Sequence, residues 1–140
     1  MSETEAIDEW LNALLDADAT LVSYVGTRIY AALAPPETTL PCVVFGLMQP
    51  TADVRAANGK RVTVRPVYEV KAVGNPLDML ALKPIANRLD ALLQGTVTDA
   101  TDIVFRCYRQ SPLEKPDVLL GTTRFAHLGG QYEIVCSPKF

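Results

Sequence analysis

The chain carries a single histidine, His127, and three cysteines, Cys42, Cys107 and Cys136. A histidine beside a cysteine can activate a thiolate, and a histidine among cysteines can hold zinc, but both arrangements need partners at characteristic spacings. The chain has no C-x-x-C, no H-E-x-x-H and no G-x-S-x-G. The spacing therefore nominates no catalytic residue, no metal ligand and no cofactor site, and His127 reads as a strand histidine beside a turn or an interface. Gly121 and Gly129-Gly130 form no phosphate-cradling loop, since they lack the G-x-x-x-x-G-K-[ST] pattern and do not lie between a strand and a helix. The carboxylates are scattered over termini, loops and outward strand faces. Paired acids for glycosidic chemistry can come from distant positions, but nothing singles out a pair.

Two features remain. Trp10, the only tryptophan, is expected to anchor a core and not to serve as a binding hot spot. Arg55, Lys60 and Arg61, with Arg65 beyond, are the one local positive cluster. They read either as a solvated loop or as an arm that docks on an acidic partner and orders on binding.

The elements that must position these residues follow from hydrophobic period. At 140 residues, 49% hydrophobic and 21% charged, the chain fits one domain with its own core. A net charge of −3 and pI near 5.1 are no footprint for a specific nucleic-acid binder. A protein lining a DNA passage can still be mildly acidic, because repulsion keeps the polyanion from sticking. The first residues are acidic where a signal peptide is basic, and no apolar run is long enough to span a membrane. The expectation is a soluble protein of a reducing cytosol whose cysteines pack as small hydrophobes.

Ile7, Trp10, Leu11, Leu14 and Leu15 form one apolar stripe of a helix over Glu3–Asp16. A second, shorter helix follows, with Asp18 as its cap and Gly26 as its stop. The period then changes to two. Residues 28–33 read as a short strand, 42–48 as a strand covered on both sides, and 62–73 as the longest strand. Pro66 interrupts that last strand, which places it at a sheet edge or a bulge. Between the latter two lies Gln49–Arg61, a long loop with an Asn58-Gly59 turn signal. Asn75 and Pro76 open a helix that keeps its spacing to Gly95, with Pro84 expected to kink it near Leu80. Ile103, Phe105 and Cys107 alternate as a strand, and Ser111–Asp117 reads as a loop. The final stretch, Thr122–Ser137, is either a hairpin turning at Gly129-Gly130 or one long strand with a glycine kink. The long strand is favoured because it buries more apolar side chains on one face. The fold class is α+β in the order α-α-β-β-β-α-β-β: a single domain with a mainly antiparallel sheet and two or three helices on one face.

The run Leu21…Val25-Gly26-Thr27-Arg28-Ile29-Tyr30, then Ala34-Pro35-Pro36, then Leu40-Pro41-Cys42-Val43-Val44-Phe45, resembles the tail completion (tail terminator) family of long-tailed bacteriophages and prophages. The likeness continues through Tyr68-Glu69-Val70 and the helix Pro76–Leu93, so it spans nearly the whole chain. Its motifs keep a fold and carry no catalytic signature. Pro84 and Gly129-Gly130 are not family features, which leaves the C-terminal alignment loose. The resemblance implies a virion structural protein of the tail or neck, assembled in the bacterial host cytoplasm and not an enzyme. Its copies would form a hexameric ring that caps the tail tube, ends tube polymerisation and joins the head-tail connector or neck protein. Such a ring leaves the genome a passage through its lumen and needs no membrane. Its contact residues are expected in edges and loops: Asp53, Arg55, Asn58, Lys60 and Arg61 as one set, Leu113, Glu114 and Lys115 as another. A head-closure or neck ring protein is the alternative. A small ligand-binding domain or enzyme with a pocket between sheet and helix is a third reading.

Overall fold

The computed structural model describes residues 3–49, 53–96 and 104–137. Helix α1, Glu3–Ala17, turns Ala6, Ile7, Trp10, Leu11 and Leu15 into the core. Each such fully buried Leu or Ile contributes roughly 1.5–3 kcal/mol relative to an exposed one. Helix α2, Ala19–Val25, begins where the Leu21 amide donates to Asp18 Oδ2 at 2.9 Å. It stops at Gly26, whose φ of +58° suits a residue without Cβ.

Among the described residues the main sheet has six strands in the order β1-β2-β5-β8-β7-β6. They are β1 (Ile29–Ala31), β2 (Cys42–Gln49), β5 (Val67–Gly74), β6 (Gly95–Thr96), β7 (Val104–Leu120) and β8 (Thr123–Cys136). Only β1 and β2 pair in parallel; the other neighbours are antiparallel. A separate two-stranded sheet, β3 (Val54–Arg55) with β4 (Arg61–Thr63), forms within the connection from β2 to β5. All three helices lie on one face. There Val43, Phe45, Tyr68, Val70, Ala72, Ala126, Tyr132 and Ile134 meet the apolar stripes of α1, α2 and α3 (Met79–Leu92). Cys42, Val44 and Val73 look the other way, under Tyr30, Ala34, Leu40 and Phe125. The start of β2 is thus covered on both sides, as its unbroken apolar run predicts, whereas Leu47 and Met48 near its end are exposed.

Four expectations are corrected. The predicted strand over 62–73 is two: Pro66 separates β4 from β5, and Val64 between them pairs with Cys136. β5 is a central strand and not an edge, because Pro66 lies before it; the Pro66 carbonyl still accepts from the Ile134 amide at 2.9 Å. The predicted loop Ser111–Asp117 is strand. β7 runs through Pro112 and Pro116, with register shifts between Arg109 and Ser111 and between Lys115 and Val118. Among the described residues β6 pairs only with Arg106 and Cys107, so β7 is a sheet edge from Tyr108 onward, where a missing N–H is tolerated. Another shift, between Val104 and Arg106, breaks the expected alternation: Val104 and Cys107 both enter the core, and Ile103 lies outside the described residues.

The C-terminal alternatives are resolved in favour of the long strand. β8 is continuous through Gly129-Gly130, and the turn falls at Gly121-Thr122. Asn75 accepts from the Leu77 amide over a 3-10 turn, Pro76–Asp78, and α3, Met79–Leu92, continues without a break through Pro84. The carbonyl that Pro84 leaves without its usual donor belongs to Leu80, on the exposed side of the helix.

Candidate interaction surfaces

The first candidate set is brought together on one hairpin. Gly59, at φ +84°, makes the turn, and the Ala56 amide donates to the Lys60 carbonyl at 2.8 Å. The Asn58 side chain accepts from the Lys60 amide at 3.1 Å, the local bond for which Asn is favoured in turns. Arg55 donates to the Gly59 carbonyl at 3.1 Å and lies 3.8 Å from Asp53. Arg61 is tied to Glu3 of α1 at 2.9 Å, which fixes the root of the hairpin to the start of the helix. Arg55, Asn58 and Lys60 are exposed, with Val54 (43% exposed) and Val62 (52%) beside them. The long loop expected over Gln49–Arg61 therefore contains an ordered, cationic, partly apolar hairpin.

The second set sits on β7. Leu113 is buried opposite Gly129, Glu114 pairs with Leu128 and Lys115 with His127. These partners face Lys71, Ala72 and Val73 on β5, whereas the β3–β4 hairpin enters β5 at Val67. The two sets thus lie toward opposite ends of the sheet, separated by about 15–20 Å of strand. Sequence spacing alone hid this, because the ladder that orders β5, β8 and β7 is nonlocal.

His127 is 7% exposed, and its pKa is lowered to about 4 by burial, with the Lys71 and Lys115 charges adding to the effect against Glu69. At neutral pH it is an uncharged imidazole. Cys107 and Cys136 belong to the opposite, helix-covered face. Cys42 shares the face of His127 but lies two strands away, with Val73 between them, about 10 Å across the sheet. No cysteine is thus placed to exchange a proton with the histidine. Burial raises the Cys42 thiol above its usual range and pushes Cys107 to about 12, which keeps both protonated. Among the described residues no three His, Cys, Asp or Glu side chains converge as a metal site, and no helix is long and apolar enough to cross a membrane.

Between α3 and the β7–β8 pair lies a groove of about 180 Å³; the third reading expects a pocket between sheet and helix, and Leu113 and Glu114 of the second candidate set line it, but its other walls, from distant segments, carry no signal in the sequence. Three of its polar groups engage one another. Tyr132 donates to Asp90 Oδ1 at 3.1 Å, and Arg109 approaches the same oxygen at 3.7 Å. Burial and the Asp90 charge both raise the Tyr132 pKa, so the phenol stays protonated. The groove is smaller than the roughly 300–1,000 Å³ typical of a small-molecule site.

No protein-family model matches the chain, and no curated protein matches it. Several solved chains share the fold. One is a chain from the virion of a native gene transfer agent particle, 15% identical, with a TM-score of 0.69 over 95% of this chain and 96% of that chain. Another, whose name states no role, is 12% identical, with a TM-score of 0.55 over 97% of this chain and 93% of that chain. At these identities the likeness is one of fold.

Proposed function

We propose that the chain is a structural subunit of a bacteriophage or phage-derived particle, and that its copies form a ring that caps the tail tube. Such a ring ends tube growth and joins the tail to the head connector or neck. The observation that carries this reading is the end-to-end likeness of fold to a chain of a gene transfer agent virion. It agrees with the sequence resemblance to tail completion proteins, which arises independently from the Val25–Tyr30 and Leu40–Phe45 segments.

The surfaces suit the role. A capping subunit must contact its own copies side to side, the tube on one ring face and the connector on the other. Here one candidate set lies toward each end of the sheet. Disruption of the gene in a particle-producing strain, followed by electron microscopy, tests the proposal. Overlong or headless tails are expected. Tails of normal length with leaking heads would move the assignment to a neck ring, and unaltered particles would overturn a structural role.

A further inference from the structure

Helix α1 carries Glu3, Glu5, Asp8, Glu9 and Asp16 and no lysine or arginine. Glu3 is held by Arg61, and Asp8 turns toward the Tyr68 hydroxyl, its pKa raised by burial. Glu5, Glu9, Asn12 and Asp16 are exposed at positions i, i+4, i+7 and i+11, a line of about 16 Å on the outer face of the helix. Ala13 and Ala17 are exposed beside it. Asp16 lies in the last turn, where the helix dipole disfavours a carboxylate and a cation would be welcome.

The same chain bears a surface of opposite character. The β3–β4 hairpin presents Lys60, and Arg55 with its own neighbour Asp53 at 3.8 Å, near the exposed side chains of Val54 and Val62. Its root is fixed by the Arg61–Glu3 bridge at the N-terminal end of its own α1, and Asp16 lies about 20 Å further along that helix. The hairpin of one copy is thus set at the wrong end of its own helix to neutralise the far carboxylates. A second copy is not so restricted.

We infer that copies of this chain associate head to tail in solution, the β3–β4 hairpin of one lying along the outer face of α1 of the next. Arg55 and Lys60 meet Glu9 and Asp16, and Val54 and Val62 cover Ala13 and Ala17. The inference takes from the proposed function the premise that copies assemble, and adds the surfaces through which they do so. Such a contact joins two different patches and repeats in one direction, the property that lets a ring close. Because each copy is a net anion, the pairing also opposes the overall repulsion between subunits.

A charge-reversal series on the full chain, read by sedimentation velocity over a wide concentration range, tests this. The unaltered protein is expected to associate at low salt and to weaken at roughly 0.5 M salt, where screening shortens the Debye length to about 4 Å. Arg55→Glu with Lys60→Glu, and separately Glu9→Lys with Asp16→Lys, should each weaken association at least about tenfold. All four positions are exposed, and circular dichroism checks that each variant keeps the fold. An equal mixture of the two reversed proteins should associate again, since each hairpin then faces a helix of opposite charge. A monomer at every concentration, reversed variants that associate normally, or a mixture that stays apart would each overturn the inference. Particle assembly scored in parallel separates the two ideas: a charge-restored ring that caps no tail sinks the capping role and leaves the contact standing.

Discussion

Arg88 of α3 grips Asp18 with two hydrogen bonds, Nε to Oδ2 at 2.8 Å and Nη2 to Oδ1 at 2.5 Å, while the same Oδ2 accepts from the Leu21 amide that starts α2. One carboxylate thus caps one helix and fastens it to another, 70 residues away in sequence. The Arg88 hydrogen bonds, and after them the Leu21 amide, hold the Asp18 pKa below its ordinary value. Its folded pKa is depressed, so the stability it contributes is present above the unfolded value near 3.9 and lost as pH falls through the folded value.

Asp18→Ala should cost about 1–2 kcal/mol from the cap alone, with a further loss from the unpaired guanidinium. Asp18→Asn keeps a capping oxygen and removes the charge, so it should fall between Ala and the native protein. Thermal unfolding at pH 7 and again below pH 3 checks both. The native protein and the Asn variant should converge in acid, and a gap that persists there would contradict the assignment to the carboxylate charge.

Gly129 is needed for close approach and not for backbone freedom. A Cβ built there would fall against the Val70 carbonyl oxygen and 2.6 Å from the Lys71 Cα, both backbone atoms of β5. Gly129→Ala should therefore force β5 and β8 apart and cost upwards of about 3 kcal/mol. Gly121, at φ +65° with open space around its Cβ position, is the control. Gly121→Ala meets only backbone strain, about 1 kcal/mol. Chemical denaturation of the two variants should show this order, and comparable losses would refute the steric account.

His127 sets a pH dependence in the weakly acidic range. Its folded pKa of about 4 lies below the unfolded value near 6.5, so the unfolded chain takes up a proton first. Stability is full above about pH 6.5 and falls as pH drops toward 4, by on the order of 3 kcal/mol from this one group. The charges that act on the ring are those of Lys71 and Lys115, which lower its pKa, and of Glu69, which raises it. His127→Gln should flatten the stability profile between pH 6.5 and 4.5, and an NMR titration of the imidazole should place its midpoint well below 6. A midpoint near 6.5 would show that the ring is solvated.

The parts of the fold legible in the sequence are those set by neighbours a few residues apart. Asp18 with Gly26, and Asn75 with Pro76, announce helix ends because the capping bonds span two to four residues. Asn58-Gly59 announces a turn for the same reason, but the short β3–β4 pairing that gathers Arg55, Lys60 and Arg61 inside the expected loop does not show in the sequence. What escaped is held by distant pairing. Pro112 and Pro116 look like loop residues until β8 pairs with one side of β7 and leaves the other side open. Gly95 reads as the end of a helix, yet Gly95–Thr96 also adds a short strand opposite Cys107. The positions of Glu114 and Lys115 relative to the first candidate set could not be read for the same reason.

The β3–β4 hairpin should be dispensable for folding and indispensable for assembly. Its described tip residues, Val54 through Lys60, are exposed and absent from both hydrophobic clusters. The anchoring pair Arg61–Glu3 lies just outside that span. Deleting Thr51–Gly59 should therefore change stability by no more than about 1 kcal/mol, the scale of a surface edit that leaves the core intact. A short Gly-Ser linker in place of the deleted residues keeps the connection from the end of β2 to β4 long enough to close, at little entropic cost. Complementation of a strain lacking the native gene is the functional readout, and tails that remain unjoined are the expected result. Fully infectious or fully packaged particles from the deletion variant would remove the hairpin from the contact surface, whereas a variant that does not fold would contradict its being dispensable for folding.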